Sequence, residues 1–249
     1  MEILSLLASI ITGLVLGMII NILADTLPNE SKPVCTHCTG DIAIRDYLLI
    51  QPCSYCGGHR RWRFWVIIVF FATLGAVFWR FPPERVGLWW GLILMAYFGI
   101  VFVIDMEHKL ILRPTSIAGV LICGYLGWSL HGTKFTLLGG LAGFGIMLVL
   151  YYLGILFARG VSRRRGEAVD EVALGFGDVT LSFILGLLLG WPGISAGLLF
   201  GVLIGGLGSG IYLLIQKFGR GYEEFTAIPY APFLLLSAAW LIFVLPVAP

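Results

Sequence analysis

The sequence predicts an all-α, polytopic membrane protein of about eight transmembrane helices with one small polar insert. Three observations predict it. Hydrophobic residues make up 59% of the 249-residue chain, charged residues make up 12%, and the mean hydropathy is +0.95. Ordinary soluble domains run about 45–50% apolar and about 25% charged. Sixteen Lys+Arg and fourteen Asp+Glu cannot wet the surface of a 27.3 kDa globule. The composition therefore excludes a soluble enzyme, a secreted disulfide scaffold, a disordered chain and a fibrous one. The net charge of +2 says little, whereas the placement of the charges says more.

A spanning helix needs about 20 apolar residues. Between charges and Pro/Gly breaks, the apolar runs are roughly Ile3–Leu23, Phe64–Trp79, Val86–Ile104, Ser116–Leu130, Phe135–Ala158, Val179–Trp191, Gly193–Ile215 and Ile228–Val247. The first follows Met1-Glu2 with no basic leader and is too long for a signal-peptide core, so it reads as a retained helix. The loops after the odd-numbered runs hold Lys32, Arg45, Arg60, Arg61, Arg63, Lys109, Arg113, Arg159, Arg163, Arg164, Arg165, Lys217 and Arg220. The other side holds Arg80, Arg85 and Lys134. The positive-inside rule then puts the odd loops in the cytoplasm and both termini outside.

Small residues four apart let helices approach closely. Gly13/Gly17, Gly139/Gly143, Gly201/Gly205 and Gly206/Gly210 are such pairs and read as packing positions. Cys123, within the fourth run, reads as a small apolar packing residue.

The one long polar segment, Pro28–Arg63, contains Cys35-Thr-His-Cys38 and Cys53-Ser-Tyr-Cys56. Each C-x2-C knuckle can place two thiolates on one tetrahedral metal, and two knuckles complete the site. The segment falls on the reducing side of the membrane, which favours a structural zinc over disulfides, iron or reactive thiols. So short a segment cannot build its own core, and metal would supply its folding energy. Four cysteine ligands leave no open position for catalysis. His37 and His59 flank the cysteines as competing ligands.

Ionisable groups within apolar segments are functional candidates. Asp105 ends the third run and Asp178 opens the sixth, and the topology puts both at the same face. The sixth run, Val179–Trp191, would be about 20 Å long. That is shorter than an apolar core of roughly 30 Å, so Asp178 would lie below the membrane surface. The fourth run, which follows Asp105, is also short. A recessed cavity open to the cytoplasm would accommodate both carboxylates. Two carboxylates sharing one proton can act as base on a water and acid towards a carbonyl oxygen, as in aspartic proteases. Gly175 and Gly177 would let an extended substrate backbone approach. Helix capping, an interfacial position, or ion ligation in a carrier or channel are the alternative roles. Asp25, at the inner end of the first run, reads as interfacial.

Other chemistry finds little support. Gly193-Ile-Ser195-Ala-Gly197 matches G-x-S-x-G without its strand–turn–helix context. The arginines from Arg159 to Arg165 read as a lipid anchor rather than a nucleic-acid site.

Taken together, these residues resemble the type IV prepilin peptidases, bacterial intramembrane aspartic proteases of the GxGD type. Gly13 to Asn21 with Leu27-Pro28 looks like the family's first helix, and the four cysteines look like its zinc loop. Ile104-Asp105-Met-Glu107-His108 resembles the segment with the first catalytic aspartate, and Gly175-Phe176-Gly177-Asp178-Val179 resembles the segment with the second. Ile228-Pro229-Tyr230 resembles the inner end of the last helix. The resemblance implies removal of a short basic leader from prepilins or pseudopilins, just after a glycine, at the cytoplasmic face of the bacterial inner membrane. It implies Asp105 and Asp178 as catalytic residues, Gly175, Phe176, Gly177 and Pro229 at the substrate, and Cys35, Cys38, Cys53 and Cys56 on zinc. Residues 1–80 would form the N-terminal part with the zinc loop, and 81–249 the peptidase membrane domain. Prepilin and membrane lipid are the implied partners; nucleic acid is not.

Two departures concern methylation of the new N-terminus. The knuckles are closer together than in bifunctional members, and Gly57 to Phe64 lacks their Tyr-Pro…Glu segment. S-adenosylmethionine is therefore implied only if methyl transfer is retained. Arg113-Pro114 also stands where Pro-Asp is common. A carrier or channel, or a peptidase-like assembly platform, are the competing functions.

Overall fold

The computed structural model describes residues 2–29, 32–35, 38, 40–58, 61–165, 175–218 and 229–245. They form α1 (Glu2–Thr26), α2 (Ile44–Leu48), α3 (Trp62–Arg80), α4 (Gly87–His108), α5 (Arg113–Arg165), α6 (Phe176–Leu189), α7 (Gly193–Phe218) and α8 (Ala231–Phe243). Among the described residues the one β feature is an isolated bridge between Val34 and Asp41. The fold is all-α, as the composition requires. Ile3–Thr26, Trp62–Arg80, Gly87–His108 and Arg113–Leu156 are long and apolar enough to cross a membrane; Phe176–Leu189, Gly193–Gly208 and Ala231–Phe243 are shorter.

The chain divides into two compact units, Met1–His108 and Lys109–Pro249. In the first, α1 lies directly on α3. A Cβ at Gly13 would stand 2.1 Å from the Phe71 carbonyl oxygen, and one at Gly75 2.4 Å from that of Ser9. Only glycine permits this approach. Buried Asn21 completes the contact, its Nδ2 donating to the carbonyls of Gly17 at 2.9 Å and Phe64 at 3.3 Å. Along α4, Leu94, Phe98, Val101 and Asp105 are buried at helical spacing, so the inward stripe ends in a carboxylate.

In the second unit α5 consists of two helical limbs joined at Gly132, whose φ of 73° breaks the helix between the two expected runs. Its first limb starts at Arg113 rather than Ser116, so the expected short helix is longer than the sequence reading had it. Pro114 does not stop it, because a proline in the first turn withholds no needed donor. Helix α6 packs against α5. A Cβ at Gly139 or Gly143 would stand 2.4 or 2.3 Å from the carbonyl oxygens of Gly186 or Ser182. From Asp178 to Leu189, α6 is buried on nearly every side, which explains its unbroken apolar run. Helices α7 and α8 cross where Gly201 meets Leu234 and Gly205 meets Tyr230 and Phe233. The Gly206/Gly210 pair departs from expectation. No described packing atom lies within 4 Å of a Cβ built at either, so that spacing serves no described contact.

Candidate functional site

Asp178 lies in the first turn of α6, not ahead of it, because the helix starts at Phe176. Its N–H donates to the Gly175 carbonyl at 3.1 Å, and its Oδ2 accepts the Gly175 N–H at 3.2 Å. The carboxylate thus satisfies an orphan donor at a helix N-terminus, where the dipole favours negative charge. It is nevertheless 8% exposed, a buried acid at the edge of an apolar helix. Asp178 is therefore not the N-cap weighed from the sequence, which is Gly175; it makes the return contact from the third helical position, and that contact fixes its side chain in place.

The residues around Asp178 differ in openness. Among the described residues, a Cβ at Gly175 would meet nothing closer than 3.7 Å, and that atom belongs to Asp178 itself. At Gly177 a Cβ would press on Ile111 at 3.1 Å. Gly175 therefore leaves room beside the carboxylate, and Gly177 serves close packing. Phe176 is exposed and stands edge-on to Tyr151, with ring centroids 6.0 Å apart. Pro229 is half-buried ahead of α8, and neighbouring Tyr230 lies within electrostatic range of Asp178.

Asp105 belongs to the other unit. It lies in the last turn of α4 and is 5% exposed, so it is neither an N-cap nor a surface residue. Near it is a group that sequence reasoning took only for topological and interfacial charge. Arg63, in the first turn of α3, pairs through Nη2 with Asp25 of α1 and through Nη1 with Glu107 of α4. The Tyr47 hydroxyl of α2 donates to Asp25 Oδ2 at 2.6 Å. The available signal was Arg63 standing inside an aromatic run, Trp62-Arg63-Phe64-Trp65.

The four cysteines come together. Their Sγ atoms lie within 4.8 Å of one another, with Cys35 to Cys56 at 3.7 Å and Cys38 to Cys53 at 3.6 Å. A tetrahedral thiolate site with metal–sulfur bonds of about 2.3 Å needs sulfurs about 3.8 Å apart. The residues therefore fit a metal ion, and they are thiols rather than disulfides. Each knuckle aims backbone N–H groups at sulfur. Those of Tyr55 and Cys56 bring the Cys53 thiol down to about 6. At Cys38 the Gly40 N–H also pulls downward, but the Cys56 thiol and burial carry it up to about 12. Gly57, at φ 65°, supplies the left-handed turn of the second knuckle. Cys35 and Cys53 are buried with Ile42, Tyr47 and Phe64, which roots the loop on α3. His37 and His59 lie outside the described residues. Cys123 is fully buried, as a packing residue should be. Ser195 sits in the first turn of α7 with its hydroxyl on the Pro192 carbonyl at 2.6 Å, on no nucleophile elbow.

Comparison with known proteins bears on this arrangement. The chain is 28% identical over 211 residues to the prepilin leader peptidase/N-methyltransferase of Pectobacterium carotovorum subsp. carotovorum, covering 79% of this chain and 68% of that one. No solved structure matches the chain at a significant level. Residues 92–212, which hold both Asp105 and Asp178, match the type IV leader peptidase family.

Proposed function

We propose that this protein is an intramembrane aspartic endopeptidase that removes the basic leader from type IV prepilins or pseudopilins. One observation carries the reading. The segment that matches the family contains two aspartates, and both are buried at the ends of apolar helices. The Gly175 N–H donates to the Asp178 carboxylate and fixes its position in the first turn of α6.

In the reaction, one ionised carboxylate takes a proton from water as it attacks the scissile carbonyl. The other, protonated, gives a proton to the developing oxyanion; collapse of that intermediate breaks the C–N bond, and the leaving amine takes the proton removed from water. Base and acid are roles of the pair in this scheme. Gly175, with free space at its Cα, is read as the point where the extended substrate backbone approaches, flanked by Phe176, Gly177 and Pro229. Cleavage after a glycine at the cytoplasmic face follows from the family resemblance and from the distribution of cations. The protein is then a multi-pass protein of the bacterial inner membrane, in contact with lipid, with both termini outside. Residues 1–80 carry the cysteine loop, and 81–249 form the peptidase domain that encloses the matched segment.

Cys35, Cys38, Cys53 and Cys56 are read as ligands of a structural zinc. Bound there, it would cross-link two knuckles whose cysteines share a small core with Ile42, Tyr47 and Phe64. S-adenosylmethionine enters only if methyl transfer is retained.

The test is co-expression with a prepilin, read as a gel shift. The wild type should convert precursor to mature pilin, and Asp105→Asn and Asp178→Asn should leave it uncut. Normal cleavage by either variant would overturn the assignment.

A further inference from the structure

Arg63 sits where four elements of the first unit converge. Its guanidinium reaches Asp25 at the end of α1 and Glu107 at the end of α4, and Asp25 also accepts from Tyr47 of α2. The side chains of Arg63, Asp25 and Glu107 are 20%, 19% and 29% exposed, so this network is only partly screened by water. Tyr47 and Phe64, neighbours of these charges in sequence or contact, belong to the cysteine-loop core.

The geometry gives Arg63 leverage on Asp105. Successive helix residues are rotated by about 100°, so positions two apart point to nearly opposite faces. Asp105 and Glu107 are two apart: one is buried at 5% exposure, the other faces Arg63. Holding Glu107 therefore sets the rotation of the turn that carries Asp105. That turn is the last of α4, which ends at His108, followed by Lys109 in a left-handed conformation with φ 53°. Final turns lack onward hydrogen bonds and fray unless something pins them.

We propose that Arg63 is a positioning residue for Asp105, clamping the last turn of α4 to α1 and the cysteine loop through its paired contacts with Glu107 and Asp25. The proposal rests on the assignment of Asp105 as a catalytic carboxylate. Arginine suits the task because its fork offers separate nitrogens to the two acids, which an ammonium cannot duplicate.

The experiment is steady-state cleavage of a leader-bearing prepilin by the full-length protein in nanodiscs, with thermal unfolding measured on each variant. Arg63→Ala and Glu107→Ala should each lower kcat, the former on the order of tenfold to a hundredfold, with KM little changed. Arg63→Lys should fall between Arg63→Ala and the wild type. The double variant should be no worse than Arg63→Ala alone, because both act through one contact. Glu107→Ala removes the acceptor, leaves the Arg63–Asp25 pair in place and decides the matter if Arg63→Ala fails to fold. Wild-type kcat in a folded Glu107→Ala protein, or loss only in proportion to the unfolded fraction, overturns the proposal. Asp105→Asn separates the two levels. If it is inactive while the clamp variants cleave normally, only the positioning role falls. If it cleaves, the underlying assignment falls and the proposal with it.

Discussion

The Gly175 backbone N–H donates to Asp178 Oδ2 at 3.2 Å, so the acid proposed for chemistry also caps its own helix. The two roles separate by substitution. In Asp178→Asn an amide oxygen still accepts the Gly175 N–H, so the fold should stand while cleavage falls by about a hundredfold or more. Asp178→Ala should lose cleavage and also about 1 kcal/mol of stability. Activity assays paired with thermal unfolding check this; equal destabilisation by both variants would refute the separation.

Gly175 and Gly177 should respond differently to added side chains. Gly175 has free space and an extended φ of −79°, so Gly175→Val should fold normally yet raise KM by obstructing the substrate backbone. Gly177→Val should destabilise, because even a Cβ there would stand 3.1 Å from Ile111. Michaelis–Menten analysis with melting curves distinguishes the two. An unchanged KM for Gly175→Val would remove it from the substrate path.

The helix-crossing glycines make a prediction independent of function. Gly13→Ala should cost about 1–3 kcal/mol, since its Cβ would collide with the Phe71 carbonyl. Gly206→Ala should be neutral or stabilising by up to about 1 kcal/mol, because that position is open. Unfolding in detergent reads both.

Metal analysis should find about one zinc per chain, lost when Cys35, Cys38, Cys53 or Cys56 is changed to Ser. Binding requires thiolates, which cysteine forms by losing a proton. Loading therefore releases protons, and affinity falls as pH falls. A zinc content near zero in protein purified without chelator would contradict the site.

For methyl transfer the expected outcome is weak or no activity. Mass spectrometry of mature pilin made by this protein alone checks it, and a methylated N-terminus would reverse it. The similarity to a protein named for both activities makes the measurement informative.

Much of the architecture could be read from residue order because the bilayer imposes one-dimensional rules. Apolar length, Pro/Gly breaks and glycine spacing found the helices, the break near Gly132, and the contacts of Gly13 and Gly139. The cysteine cluster was legible from two knuckles alone. The start of α5 was not, because Pro114 can end a helix or begin one, and packing decides which. Gly206/Gly210 misled for a related reason: spacing shows that a close approach is permitted, not that a partner is there.

By itself, the sequence determined the class of molecule, the apolar segments, the clustered thiols and the two aspartates that stand out from apolar surroundings. These follow from transfer free energies and covalent spacing, which are local properties of the chain. Only the tertiary structure decided that Asp178 caps α6, that Gly175 meets no other described side chain while Gly177 packs on Ile111, and that Arg63 joins Asp25 to Glu107 across 38 and 44 residues of chain. Such pairings depend on how helices rotate and cross. Helix rotation is set by the whole packed interface, so no window of sequence contains it.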